Sequence, residues 1–311
     1  MTAIGSVAPD PTTAPVDRRS RRARKDKDSG ADQGRANLPV KIAVLVICLL
    51  WIIPVIGLFI TSLREGDAAN SSGWWTVIKS PLDVTQWTME NYGEIADRGN
   101  MGRAFVNSLA ITLPATIIPI MIASFAAYAF SFMQFPGRDT LFVVIVSLLV
   151  VPSQVALVPL LQLYGDLGLN GTFPAVWLAH IGFGMPLAIY ILRNYMSSLP
   201  KSLIESAKID GASHFQIFWK LIIPISTPAL ASFAIFQFLW VWNDLLVALL
   251  FVGPGENAPM TVQLAGLLGA QGQGWQLITA GGFLTMLVPL LVFLSLQRYF
   301  VSGMTAGSVK G

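Results

Sequence analysis

Between Lys41 and Arg64 the chain carries no charged side chain. A helix needs about 20 apolar residues to cross a bilayer, and this gap supplies them. The rest of the chain divides by the same rule. The charge-free gap from Arg103 to Arg138 holds a second span, near 104–130, and is too short for two. A third is expected at 139–163, a fourth at 173–192, a fifth at 225–250 and a sixth at 281–300. The spacing therefore predicts an all-α polytopic membrane protein with six transmembrane helices and both termini on one side. Composition agrees: 54% of the residues are hydrophobic and 12% charged, against about 25% charged in a soluble domain.

Orientation follows from the basic residues. With the N-terminus inside, sixteen of the twenty Lys and Arg residues fall on the cytoplasmic side, leaving Arg64, Lys79, Arg98 and Arg103 outside. That asymmetry matches the positive-inside rule, which places both termini in the cytoplasm. Residues 1–39 form a basic tail with no apolar period, expected to be disordered. Its charge reads as topogenic, with contact to anionic lipid as the alternative, and calls for no nucleic acid. The first transmembrane helix is bounded at 40–64. An outer loop at 65–102 carries Trp74, Trp75 and Trp87, read as interfacial anchors, with a short helix expected around 90–96. The second outer loop, 253–279, is rich in Gly and Gln.

One polar segment, 200–224, lies between two apolar runs and has its own punctuation. Ser202 with Glu205 reads as a capping box opening a helix, and Gly211 sits where that helix ends. Ser213 with Gln216 repeats the capping pattern, and Pro224 closes the second helix. The topology count puts this pair of helices in the cytoplasm, where a soluble partner can grip it.

Chemistry is constrained by what is missing. There is no GxxxxGK[ST] phosphate loop, HExxH, GxSxG or pair of buried carboxylates. One cysteine and two histidines leave no metal-ligand spacing. The chain has no visible means of hydrolysing anything, so uphill transport needs another chain or an ion gradient. Polar residues inside the expected spans are costly in hydrocarbon and point to a cavity or to another helix. Gln154, Gln237, Trp240, Asn243 and Asp244 fit a path lined with amides and aromatics, suited to sugar. Gln154 and Gln237 read equally well as interhelical hydrogen-bonding groups. Asp244 has a second reading at the outer interface, and His180 reads first as a packed, hydrogen-bonded residue.

Glu205, Ser206 and Ala207, followed by Gly211, Leu221, Ile223 and Pro224, resemble the permease signature of ABC importers, E-A-A-x₃-G-x₉-I-x-L-P. Ser206 replaces an alanine, and Leu221 and Ile223 exchange aliphatic types. The resemblance covers roughly 40–311. Asn107-Ser108-Leu109, Phe135-Pro136-Gly137-Arg138, Ile209-Asp210-Gly211-Ala212-Ser213 and Trp242-Asn243-Asp244 are similar to the carbohydrate branch. The ending 303–311 is similar to the smaller permease subunit of the maltose system.

What the resemblance implies is a type I ABC importer permease fold. Its permease domain would span 103–298, with a coupling loop at 200–224 and a C-terminal tail at 299–311. It further implies a second permease subunit, an ATPase dimer, an extracytoplasmic sugar-binding protein, a sugar substrate (an oligosaccharide or α-glucoside), surrounding membrane lipid and location in the inner (cytoplasmic) membrane. Glu205, Ser206, Ala207, Asp210, Gly211, Ala212 and Pro224 would contact the ATPase, as would Thr305, Ala306, Gly307 and Lys310. ATP and Mg would bind there, so this chain is expected to be no enzyme and to hold no cofactor or metal. An ion-coupled secondary sugar carrier is the alternative, and a membrane scaffold a third reading. The carrier accommodates six spans and polar residues within them, but it does not explain the capped helices or the ending.

Overall fold

Prolines interrupt some of the expected crossings and sit inside others that stay continuous, among them Pro54, Pro114, Pro119, Pro186 and Pro289. The structure is a computed structural model describing residues 38–97, 100–267 and 274–305. It falls into two compact units that divide between Ile56 and Gly57. Helix α1, Leu38–Ser62, contributes its residues up to Ile56 to the first unit and its end to the second. The remaining helices belong to the second. These are α2 (Gly66–Ser71), α3 (Glu90–Asp97), α4 (Met101–Phe132), α5 (Arg138–Ser147), α6 (Ser153–Asp166), α7 (Phe173–Ser197) and α8 (Lys201–Ile209). They continue with α9 (His214–Ile225), α10 (Thr227–Trp242), α11 (Leu246–Phe251), α12 (Met260–Gly266) and α13 (Trp275–Thr305). No named strand occurs among the described residues; Arg64 and Trp87 form one isolated bridge.

Four stretches are long and apolar enough to cross a membrane: α1, α4, α7 and α13 as far as Gln297. Two further pairs of helices are long and apolar enough only when taken together, and each pair is bent at a break. The helix 138–150, α5 with its 3₁₀ extension, meets α6 at 96°, and α9 meets α10 at 72°. Counting each pair as one crossing makes six. The bend expected nowhere in 139–163 has a plain cause. Val151 precedes Pro152, whose ring drives the preceding residue out of the helical region, and Val151 is extended at ψ 119°. The expected fifth span breaks at both ends, at Ser226 and at Asn243–Leu245.

Small residues set the centre of the second unit. Ala115, Ala123, Ser124 and Ala127 of α4 and Ala175, Ala179 and Ala188 of α7 are buried, letting the two helices pack closely without large side chains between them. The indole N–H of Trp177 donates to the Ala110 carbonyl across this seam at 3.0 Å. α10 lies against α4 and α13. There Trp242 stacks on Phe238 and donates through Nε1 to the Thr285 carbonyl at 3.1 Å.

The loop after α1 is more structured than its composition suggests. Arg64 is 3% exposed, and its guanidinium donates to the Ser72 carbonyl and hydroxyl at 2.8 and 2.7 Å. Burial pushes its pKa down from the usual arginine range. The short helix expected at 90–96 is α3, whose Asn91 donates to the carbonyls of Ser62 and Arg64.

Candidate functional site

Two places bring the sequence-predicted residues together: the elbow between α8 and α9, and a cleft at the break between α5 and α6.

The elbow is built by local hydrogen bonds. Gly211 has φ +80°, a region that a residue bearing Cβ enters at a cost. Its N–H reaches the Lys208 carbonyl, and the Ala212 N–H reaches that of Ala207, both at 3.0 Å. These are the two bonds of a Schellman turn. Beyond it, Ser213 Oγ accepts from the Gln216 N–H at 3.3 Å, and Gln216 Oε1 accepts from the Ser213 N–H at 2.9 Å. That is the expected capping box. The other expected box does not form. α8 starts at Lys201 with Pro200 as its N-cap, so Ser202 is already inside the helix and makes no capping bond. Leu203 N–H bonds back to the Pro200 carbonyl instead, so the helix starts two residues earlier than the expected cap implies.

Pro224 does not end the second helix either. A π-helical turn at Phe218–Ile222 runs into Ile223–Ile225, and the chain breaks at Ser226. Pro224 has no N–H for the Lys220 carbonyl, and the wider turn just before it is where such a defect is absorbed.

Around Gly211 the surface is open. Glu205, Ser206, Asp210 and Gly211 are exposed, and Ala207 and Ala212 are half-buried. A groove of about 480 Å³ runs between the two helices, lined by Ala207, Asp210, Gly211, Ala212, Gln216 and Lys220 among others. Ile209 and Phe215 stand 86% and 67% exposed beside it, large apolar groups with nothing covering them. The inner side of the elbow is fixed to the bundle. His214 Nδ1 lies 2.8 Å from the Tyr128 hydroxyl of α4, and Phe218 stacks on Phe125. Both contacts fix the elbow to α4.

The five path candidates separate. Gln154 and Trp240 line one cleft with Val151, Pro152, Gly182 and Phe183, about 480 Å³ in volume. Gln237 is fully buried elsewhere. Its Nε2 donates to the Ala115 carbonyl at 3.1 Å and lies 3.5 Å from that of His180, so it ties α10 to α4 and α7. Asn243 turns back on its own helix, donating to the Leu239 carbonyl. Asp244 caps α11, with Oδ2 accepting from the Ala248 N–H at 3.0 Å. Its carboxylate also faces His180 Nε2 at 3.6 Å, an ion-pair distance longer than a hydrogen bond. His180 is packed as expected, edge-on to Trp240, but neither ring nitrogen has a hydrogen-bond partner among the described residues.

A small cavity of about 10 Å³ next to it is lined by His180, Thr112, Asp244 and Thr261, space for one water. The sequence resemblance named Asn107 and Ser108 but not their part in holding this region. The Asn107 carboxamide donates to the carbonyls of Glu256 and Ala258, and the Met260 N–H donates to Ser108 Oγ. The signal was the polar Asn-Ser pair at the head of an apolar span. Of the C-terminal candidates, Thr305 ends α13, while Ala306, Gly307 and Lys310 lie outside the described residues, as does most of the 1–39 tail.

Comparison with known proteins adds four findings. Residues 119–306 match the family described as binding-protein-dependent transport system inner membrane component. The osmoprotective compounds uptake permease protein GgtD of Synechocystis is 59% identical over 88% of this chain and 92% of its own length. The alpha-glucoside transport system permease protein AglG of Rhizobium meliloti is 41% identical over 88% of this chain and 97% of its own length. Among solved structures, a bacterial ABC transporter involved in import of the acidic polysaccharide alginate superposes with a TM-score of 0.68 at 20% identity. It covers 92% of this chain and all of its own. That likeness concerns the fold.

Proposed function

Because this chain belongs to the family of binding-protein-dependent transport system inner membrane components, we propose that it is one of two permease subunits of an ATP-driven sugar importer. It is a multi-pass membrane transport protein and not an enzyme. The observation that carries the finer reading is the elbow at Gly211: a rigid, glycine-closed turn with open space around it and bare apolar groups beside it. A chain without a phosphate loop needs a partner to supply energy, and this surface is shaped to receive one.

In this reading each bent pair is one crossing of the inner membrane, so six crossings leave both termini in the cytoplasm. The permease domain proper spans 103–298. α8 seats in a cleft of one ATPase subunit through Glu205, Ser206, Ala207, Asp210, Gly211 and Ala212. Pro224 sits where the elbow joins the bundle. ATP and Mg bind between the ATPase subunits, and their closure pushes the elbow. The His214–Tyr128 contact and the aromatic packing of Phe218 pass that push into α4 and α10. The C-terminal tail, with Thr305, Ala306, Gly307 and Lys310, approaches the ATPase dimer from below. An extracytoplasmic binding protein delivers a sugar to a pore formed with the second permease subunit. AglG, by its name a permease of α-glucosides, supports a glycoside as the cargo.

The test is contact. A single cysteine at Ala212, with the native Cys48 replaced by serine, is expected to cross-link to the copurifying ATPase under mild oxidation or with a short thiol reagent. Absence of any cross-link from Ala212, Ile209 and Ser206 in an assembled complex overturns the docking surface.

A further inference from the structure

The cleft where α5 breaks from α6 has a chemistry that packing alone does not require. Its lining includes no Asp, Glu, Lys, Arg or His, so nothing there compensates a charged ligand, and an unpaired charge is costly to bury. Yet it is not an apolar slot. α6 begins inside the cleft with Pro152 as its N-cap and no capping side chain, leaving the N–H groups of Ser153 and Gln154 without helical acceptors. The Ser153 hydroxyl, the Gln154 carboxamide and the Trp240 indole N–H line the cleft and make no hydrogen bond among the described residues. On the opposite wall the Gly182 carbonyl cannot receive its ordinary helical bond, because Pro186 has no N–H. The rings of Trp240 and Phe183 line the same cleft.

We propose that this cleft binds one glycosyl unit of a neutral sugar, its ring face on the Trp240 indole and its hydroxyls on Gln154, Ser153 and the Gly182 carbonyl. The proposal deepens the sugar-importer reading and rests on it. A lipid chain would leave every one of these polar groups unsatisfied in hydrocarbon, where each costs several kcal/mol. A sugar carries both apolar ring faces and hydroxyls, as this mixed lining requires. The volume of about 480 Å³ lies within the range of about 300–1,000 Å³ typical of small-ligand sites. His180 is a positioning residue: it meets Trp240 edge-on, 5.2 Å between centroids at 89°, and so fixes the angle of the indole. The absence of a basic residue sets the specificity, neutral glycosides over uronate-containing ones.

Gly182 gives a clean lever. A Cβ added there meets no atom within 4 Å, so Gly182→Ala is accommodated and Gly182→Phe projects into the cleft. The experiment uses the complete importer, with both permeases, the ATPase and the binding protein, in proteoliposomes. The probes are radiolabelled sucrose, trehalose and maltose, with an alginate trisaccharide as the charged comparison. ATP-dependent uptake of at least one neutral probe, and none of the trisaccharide, is expected. Trp240→Ala should raise its KM about tenfold, the loss of one aromatic contact, with partial recovery in Trp240→Phe. Gly182→Phe should abolish uptake in complexes that retain the ATPase, and Gly182→Ala should not. Wild-type KM in both Trp240→Ala and Gly182→Phe overturns the cleft, and so does preferred uptake of the trisaccharide; either leaves the importer reading intact. Uptake by the wild type without ATP defeats the importer reading itself.

Discussion

Gly211 separates two explanations of the elbow that a single loss-of-function variant would merge. A residue bearing Cβ pays about 1–2 kcal/mol to sit in the left-handed region, and Asn and Asp pay least because their side chains bond locally. Against a folding stability of about 5–15 kcal/mol this leaves the chain folded and inserted. Apart from its two chain neighbours, no heavy atom of the described residues lies within 4 Å of the Cβ that Gly211 lacks, so an added Cβ meets open space. If backbone strain were the whole effect, Gly211→Ala should be the most damaging change and Gly211→Asn the mildest. If the open space is needed by a docked ATPase, the order follows side-chain size and charge: Ala mildest, Asn worse, Asp worst. The account predicts the second order, with Gly211→Asp abolishing uptake while membrane insertion is unchanged. The assay is sugar uptake in cells, normalised to the amount of each variant in purified membranes and to the ATPase it retains. Normal uptake by a correctly inserted Gly211→Asp protein, or an Asn variant milder than Ala, refutes the reasoning.

Three further outcomes follow from the packing. In Gly184→Ala the new Cβ would sit 2.8 Å from both terminal atoms of the buried Gln237. Overpacking costs of about 1–3 kcal/mol then offset a helix gain of about 1 kcal/mol, so the unfolding midpoint in detergent falls. In a Gln237→Ala background the same change is neutral or stabilising, the signature of a coupled pair. Ser213→Ala removes the formed capping box and should lower stability by about 1 kcal/mol, whereas Ser202→Ala, at the box that does not form, should change the midpoint little. Arg64→Ala strips two charge-assisted bonds from the loop after α1 and should cost about 3 kcal/mol, seen as faster proteolysis of that loop in intact membranes.

Charge-free runs were enough to read the helical class and the approximate extent of each apolar segment, because the bilayer enforces length on composition. Gly211 and the Ser213–Gln216 box were legible because their chemistry is local: a positive φ and a reciprocal pair three residues apart. Ser202–Glu205 shows the limit of that logic, since Pro200 opened the helix first. The 96° break at Val151 was written in Pro152, but whether a proline kinks or breaks a span depends on the helices that receive the freed groups. Long-range placement was hidden. Gln154, Gln237 and Asp244 looked alike as polar residues in apolar runs. Only the packing of α4, α7 and α10 shows that one lines a cleft, one ties helices and one caps α11. His180 was legible as packed but not as unsatisfied, because its nearest acid, Asp244, is remote in sequence.

The most direct test of the central claim is the energy source of uptake. The purified complex, reconstituted with ATP and Mg inside sealed proteoliposomes and binding protein outside, should accumulate sugar in the absence of any proton or sodium gradient. Addition of an ionophore should change nothing, and replacing ATP with a non-hydrolysable analogue should stop uptake. Accumulation that collapses with the ionophore and proceeds without ATP contradicts the account and establishes an ion-coupled carrier in its place.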